Sequence, residues 1–158
     1  MGPTGPPPLR PFGLRLHHDG SWTHEGQPIW NRRLRAAFDR SVRYLPEEGC
    51  FVVQLAHFRG QIEVEEAPFF VRDFDAPSGE IGLSDGTHEV LDLDSLHVSP
   101  LDGAYLCLVK RLQRDAGVLA RFQHAAHAEF QNAIDEGPDG PRVWFAGRLR
   151  RLPTVLLV

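Results

Sequence analysis

Leu14 and Leu16 alternate with Arg15 and His17, Asp19-Gly20 follows, and then Trp22 and His24. That is the pattern of two half-buried strands joined by a tight turn. Gly26-Gln27-Pro28-Ile29 closes this ribbon, and Asn31 is placed to cap a helix running to about Tyr44. On that helix Leu34, Phe38, Val42 and Leu45 recur at helical spacing, while Arg33, Arg40 and Arg43 fall off the stripe. Pro46 ends it. The next stretch predicts strands: Cys50 to Ala56, a turn at Arg59-Gly60, then Gln61-Ile62-Glu63-Val64-Glu65. Its alternation turns Ile62 and Val64 inward and the polar residues to water. Phe69, Phe70, Val71 and Phe74 predict a further strand, and Ala76-Pro77-Ser78-Gly79 marks a boundary.

The second half repeats this syntax. Glu80 to Ser84 and Thr87 to Leu93 flank Asp85-Gly86, a second hairpin signal. A turn at Ser99-Pro100-Leu101-Asp102-Gly103 precedes a strand over Ala104 to Val109. A helix is predicted from about Val118 to Ile134, with Leu119, Phe122, Ala126, Phe130 and Ala133 on one face, ended by Gly137-Pro138-Asp139-Gly140-Pro141. Arg142 to Ala146 predicts a last strand, with Thr154 to Val158 as a short addition. The fold class expected is α+β: two packed, duplicated-looking halves, each a small, mainly antiparallel sheet with one long helix. The expected divisions are a disordered leader over 1–11, an N-terminal half over 12–77 and a C-terminal half over 78–158.

Length and composition agree with this picture. The chain has 158 residues, 42% hydrophobic and 24% charged, which is ordinary globular composition. No stretch approaches the roughly 20 apolar residues that cross a bilayer. The opening Met1 to Pro8 lacks the charged and apolar regions of a signal peptide, so the expected compartment is the cytoplasm with no membrane partner. Cys50 and Cys107 sit far apart in apolar runs and predict free, packed thiols. The net charge of −4 argues against a nucleic-acid polymer as partner. The charge is uneven: residues 1–45 carry +4, residues 46–103 carry −11 and residues 104–158 carry +3. Basic ends around an acidic centre predict either a polarised groove or pairing between the segments.

Candidate chemistry is sparse. Gly82-Leu83-Ser84-Asp85-Gly86 matches a nucleophile-elbow pattern, but strand-like Thr87 to Leu93 stands where a helix is required, so a hairpin is the better reading. Asp92 and Asp94 share a strand face and have the opposite, Leu91–Leu93 face to balance them, so they predict a solvent side rather than a cation site. His124 and His127 lie three apart on the second helix without further ligands at metal spacing, and His17 and His18, adjacent on a strand, point apart. Lys110 is the only lysine and no Gly-Lys-Ser/Thr occurs, which excludes a P-loop. Arginine is the polar group most available to a ligand. Arg32, Arg33 and Arg35 begin the first helix, and Lys110, Arg111, Arg114 and Arg121 surround the predicted start of the second. Such groups suit phosphate or carboxylate, or else pair with the acidic centre.

Asp19-Gly20-Ser21-Trp22, Gly26-Gln27-Pro28-Ile29, the helix with Leu34 and Phe38, and Ile62-Glu63-Val64-Glu65-Glu66-Ala67-Pro68-Phe69 together resemble the bacterial family called domain of unknown function 1285. The similarity spans about residues 14–71 and continues more weakly through Ser84-Asp85-Gly86 and the second helix. Leu55-Ala56-His57-Phe58-Arg59 stands where that family usually carries a Thr-Pro-Val-Glu-Lys-like stretch. The resemblance implies a duplicated α+β architecture with a C-terminal half loosely like pleckstrin-homology folds. It also implies a ligand site for a nucleotide-like molecule where the halves join, a signalling or stress-response role, and no enzymatic activity. The expectation is a non-enzymatic module, without cofactor or metal, for a small anionic, nucleotide-like ligand. Trp22 and Phe69 are expected to stack or position it and Arg33 and Arg121 to take its charge, with His57 added from its place in the substituted stretch. The alternative is an adaptor that binds a peptide, or its own copy, through a strand edge or an apolar patch.

Overall fold

The computed structural model describes residues 10–55 and 58–153, with the side chains of 10–12 and 58 left aside. It divides into two compact units, unit 1 to Pro68 and unit 2 from Phe69. Ala76–Gly79 fall inside unit 2. Those four residues instead turn the hairpin between two paired strands of unit 2, with Gly79 N–H donating to the Asp75 carbonyl.

Unit 1 holds β1 (Arg10–Leu16), β2 (Trp22–His24), β3 (Gln27–Pro28), α1 (Arg32–Ser41), β4 (Val42–Leu45), β5 (Cys50–Leu55) and β6 (Phe58–Val64). Its sheet runs β3-β2-β1-β6-β5-β4 and is antiparallel except where β1 meets β6. Unit 2 holds β7 (Phe69–Asp75), β8 (Glu80–Leu83), β9 (His88–Val90), a short 3-10 turn (Leu93–Ser95), β10 (His97–Val98), β11 (Tyr105–Val109) and β12 (Val118–Phe122). The order there is β9-β8-β7-β12-β11-β10, again with one parallel pair at the centre, β7 with β12. The duplication is thus strand for strand. The units differ in their helices: α1 stands between the third and fourth strands of unit 1, where unit 2 has only the 3-10 turn. Unit 2 places α2 (His124–Asn132) after its sixth strand and adds a three-stranded sheet, β13 (Ile134–Gly137), β14 (Gly140–Phe145) and β15 (Arg148–Arg151).

Both Asp-Gly signals make turns by one device. The Asp19 carboxylate accepts from the N–H and hydroxyl of Ser21, and Asp85 accepts from those of Thr87. Gly20 and Gly86 take φ of 90° and 86°, the left-handed region open to a residue without Cβ. The Asn31 side chain caps α1 by accepting from Leu34 N–H at 3.0 Å. The helix stops at Ser41, short of Tyr44, because Val42–Leu45 pairs antiparallel with β5.

Several expectations are corrected. Val118–Phe122 is a strand, not the first turns of a long helix: Val118, Ala120 and Phe122 are buried at period two, between β11 and β7. The helices are consequently 10 and 9 residues long. Gly137 to Gly140 turns the β13–β14 hairpin, Arg59-Gly60 lies inside β6, and Asp92 and Asp94 flank the start of a 3-10 turn rather than one strand face. Thr154 to Val158 lie outside the described residues.

Each unit has its own core. Leu14, Leu16, Trp22, Val53 and Ile62 on one face of the first sheet are buried under Phe38 of α1. In unit 2, Phe130 of α2 packs edge-on to Phe74, Tyr105 and Phe122, with ring centroids 5.3 to 5.9 Å apart.

Candidate anion-binding site

Alternation along β1 and β2 puts Trp22 opposite Leu16, on the inner face. Its indole is 1% exposed, meets Phe38 at 5.3 Å, and donates its N–H to Asp39 at 2.9 Å. Trp22 is a core residue of unit 1, not a stacking surface. Phe69 is likewise 0% exposed, with the Lys110 ammonium 5.2 Å from its ring centroid. Arg121, buried on β12, bonds the Asp102 carboxylate. His57 lies outside the described residues. Arg33 is exposed on α1.

Two exposed arginines, Arg33 and Arg40, lie on one side of α1. At 100° per residue, Arg33, Leu34, Ala37, Arg40 and Ser41 share a side of the helix that excludes Asp39, the helix's one acid. Ala37, Arg40 and Ser41 then meet Arg43 of β4 and Gln54 and Leu55 of β5 around an open cleft of about 550 Å³. The β4–β5 register explains the meeting, since Arg43 pairs with Val52 and the antiparallel ladder carries Ser41 toward Gln54. Arg33, Arg40 and Arg43 have no carboxylate partner among the described residues. Four basic residues of unit 2 are paired with carboxylates: Lys110 with Asp85, Arg111 with Asp92, Arg121 with Asp102 and Arg150 with Asp94. The acidic centre thus pairs with the basic C-terminal segment within unit 2, and the α1 arginines stand apart from that pairing. Two guanidinium groups, a hydroxyl and a carboxamide around one cleft can neutralise and hydrogen-bond a multiply charged oxyanion.

A second groove of about 520 Å³ lies in unit 2, between β9 and the Leu108–Gln113 segment. Val90 and Leu112 are its exposed apolar residues, at 57% and 105%.

The remaining motifs have structural partners. Ser84 is 3% exposed, its hydroxyl accepts Phe70 N–H, and β9 rather than a helix follows Gly86. His127 stacks on Tyr105 at 4.5 Å, and burial, then the neighbouring His124, lowers its pKa. His17 and His18 do not point apart. The turn after Leu16 breaks the alternation, and both rings reach Glu65, at 3.3 and 2.7 Å. Burial would raise the Glu65 carboxyl, but the bonds from His18 and His17 outweigh it and lower its pKa. Among the described residues no three His, Cys, Asp or Glu side chains are grouped to hold a metal ion. Cys50 and Cys107 are free thiols, and no helix among the described residues is long and apolar enough to cross a membrane.

A DUF1285 family protein from Silicibacter pomeroyi matches 96% of this chain and 85% of its own, with a TM-score of 0.64 and 21% identity. A duf1285 family protein from Shewanella baltica matches 76% of this chain and 91% of its own, at a TM-score of 0.53 and 17% identity. No family model matches the chain, and no curated protein does. The chain has the duplicated α+β fold of these DUF1285 family structures, the family that its N-terminal motifs resemble.

Proposed function

We propose that the protein is a non-enzymatic binding module for a small phosphate-bearing anion, held in the cleft of unit 1 instead of at the junction expected from the sequence. One observation carries this reading: Arg40 and Arg43 line a cleft with Ser41 and Gln54, without a carboxylate among its described lining residues. A volume of about 550 Å³ lies within the range of roughly 300–1,000 Å³ usual for small-ligand sites. A cytoplasmic signalling role is the setting in which the module would act. Thermal unfolding with inorganic phosphate, nucleoside monophosphates and citrate tests the reading, because a ligand bound only to the folded state raises Tm. The expected result is stabilisation by the phosphates that Arg40→Gln with Arg43→Gln abolishes. Equal behaviour of wild type and variant rejects it.

A second reading, an adaptor for an extended peptide, has the β9 edge in its favour. Leu83 N–H donates to Thr87 and Leu91 N–H to Gly79, so ladder alternation turns the backbone groups of His88 and Val90 away from β8. Val90 and Leu112 would receive the peptide's apolar side chains. Loss of peptide binding in Leu112→Ser, with phosphate binding intact, separates this reading from the first.

A further inference from the structure

Deepening the cleft reading, we infer that the anion is met at an anionic bilayer surface, where α1 lies against lipid headgroups without crossing the membrane. This departs from the expectation of no membrane partner, which rested on the lack of a spanning segment and does not bear on surface contact. The inference rests on what adjoins the cleft. Leu34 lies one turn before Ala37 and two before Ser41 on the same side of α1 and is 40% exposed. Trp30, one residue before the Asn31 cap, is 79% exposed. An indole and a leucine left in water ahead of a row of arginines suit the membrane interface, where aromatic rings sit at headgroup level and guanidinium groups meet phosphates.

Charge complementarity points the same way. On this side of the helix all the charges are arginine: Arg33 and Arg40, with Arg43 beyond. Asp39 is turned aside and accepts from the Trp22 indole. Arg33 to Arg40 spans about 10 Å of helix, so these charges face several headgroups at once, whereas a single phosphate fills only the cleft. Arg32 and Arg33 also stand in the first turn, against the positive end of the helix dipole, with no acidic residue there. That arrangement disfavours the isolated helix and is relieved by a surface of negative charge. The β-sheet face of α1 is already used by Phe38, which leaves the Arg33–Ser41 side as the docking side.

The test is co-sedimentation of the full chain with vesicles of equal parts phosphatidylglycerol and phosphatidylcholine, beside pure phosphatidylcholine vesicles. A single-stranded oligonucleotide and free glycerol phosphate serve as the other arms. Binding to the anionic vesicles alone, weakened by salt and about fivefold for each of Arg33→Gln and Arg40→Gln, is expected. Trp30→Ala and Leu34→Ser should also weaken it, and brominated lipid should quench the wild type more than Trp30→Phe. Unchanged circular dichroism in each variant verifies that the fold is intact. No binding to anionic vesicles at low salt, or binding indifferent to these substitutions, overturns the inference. Tighter binding of the oligonucleotide with the same sensitivities overturns it in favour of nucleic acid. Stabilisation by glycerol phosphate without vesicle binding upholds the cleft and rejects the membrane. Vesicle binding that is untouched by Arg40→Gln with Arg43→Gln rejects the cleft as its anchor.

Discussion

Replacing Lys110 by methionine probes the charge pairing that sets unit 2 apart from the α1 arginines. The Lys110 ammonium lies 2.5 Å from Asp85 Oδ2 and 2.7 Å from Thr87 Oγ1, above the Phe69 ring. The two charged side chains are only 11% and 10% exposed, so solvent screens the pair little. Methionine keeps the apolar stem, and Lys110's φ of 58° costs either residue much the same, so the comparison isolates the ammonium. Removing one partner of a buried pair leaves the other uncompensated, at a cost of about 3 kcal/mol. The pH dependence follows from Asp85. Burial raises its carboxyl, but the hydrogen bonds from Lys110 and Thr87 outweigh that and hold it below 3.8. A lowered folded pKa contributes stability that is fully present above the unfolded value and lost as pH falls through the folded one. Urea unfolding should therefore show the full deficit near neutral pH and a shrinking one below about pH 4. A deficit under about 1 kcal/mol at neutral pH, or one unchanged in acid, refutes the reasoning.

Other substitutions test the local arguments. Asn31→Ala removes the acceptor for Leu34 N–H and should cost about 1 kcal/mol, read from urea midpoints. Phe130→Ala opens a hole among Phe74, Tyr105 and Phe122 and should cost about 3–5 kcal/mol by the same assay. Cys107 is 0% exposed and burial pushes its thiol well up, so it should resist iodoacetamide in the folded protein, while half-buried Cys50, raised less, reacts slowly. Mass spectrometry of the alkylated protein reports both, and rapid labelling of Cys107 in native buffer would contradict its placement.

Much of the fold was legible because local signals agreed with tertiary structure. The Asp-Gly turns and the Asn31 cap rest on contacts within a few residues, and the Gln61–Glu65 alternation matches its burial. Val118–Phe122 reads as helix in the sequence because its apolar positions fit a helical stripe with Ala126 and Phe130 as well as period two. Pairing with β11 and β7, which lie far off in sequence, decided it. The duplicated strand order was visible only as repeated syntax, since pairing order has no local signature. At the site, the α1 arginines were legible as residues off the apolar stripe. Trp22 pairs with Leu16 across the Asp19-Gly20 turn, which puts it on the inner face, while Trp30 lies outside the strands and stays exposed. Arg121 on its own gives no sign of Asp102, and the cleft depends on β4 and β5, which only pairing brings beside Arg40.

The central claim is that the α1 cleft of unit 1 takes a phosphate. Its most direct measurement is a titration of the isotope-labelled chain with inorganic phosphate, followed by amide resonances. Saturable shifts concentrated at Ala37, Arg40, Ser41, Arg43, Gln54 and Leu55 are predicted, and shifts that are absent, or centred on residues of unit 2, would contradict it.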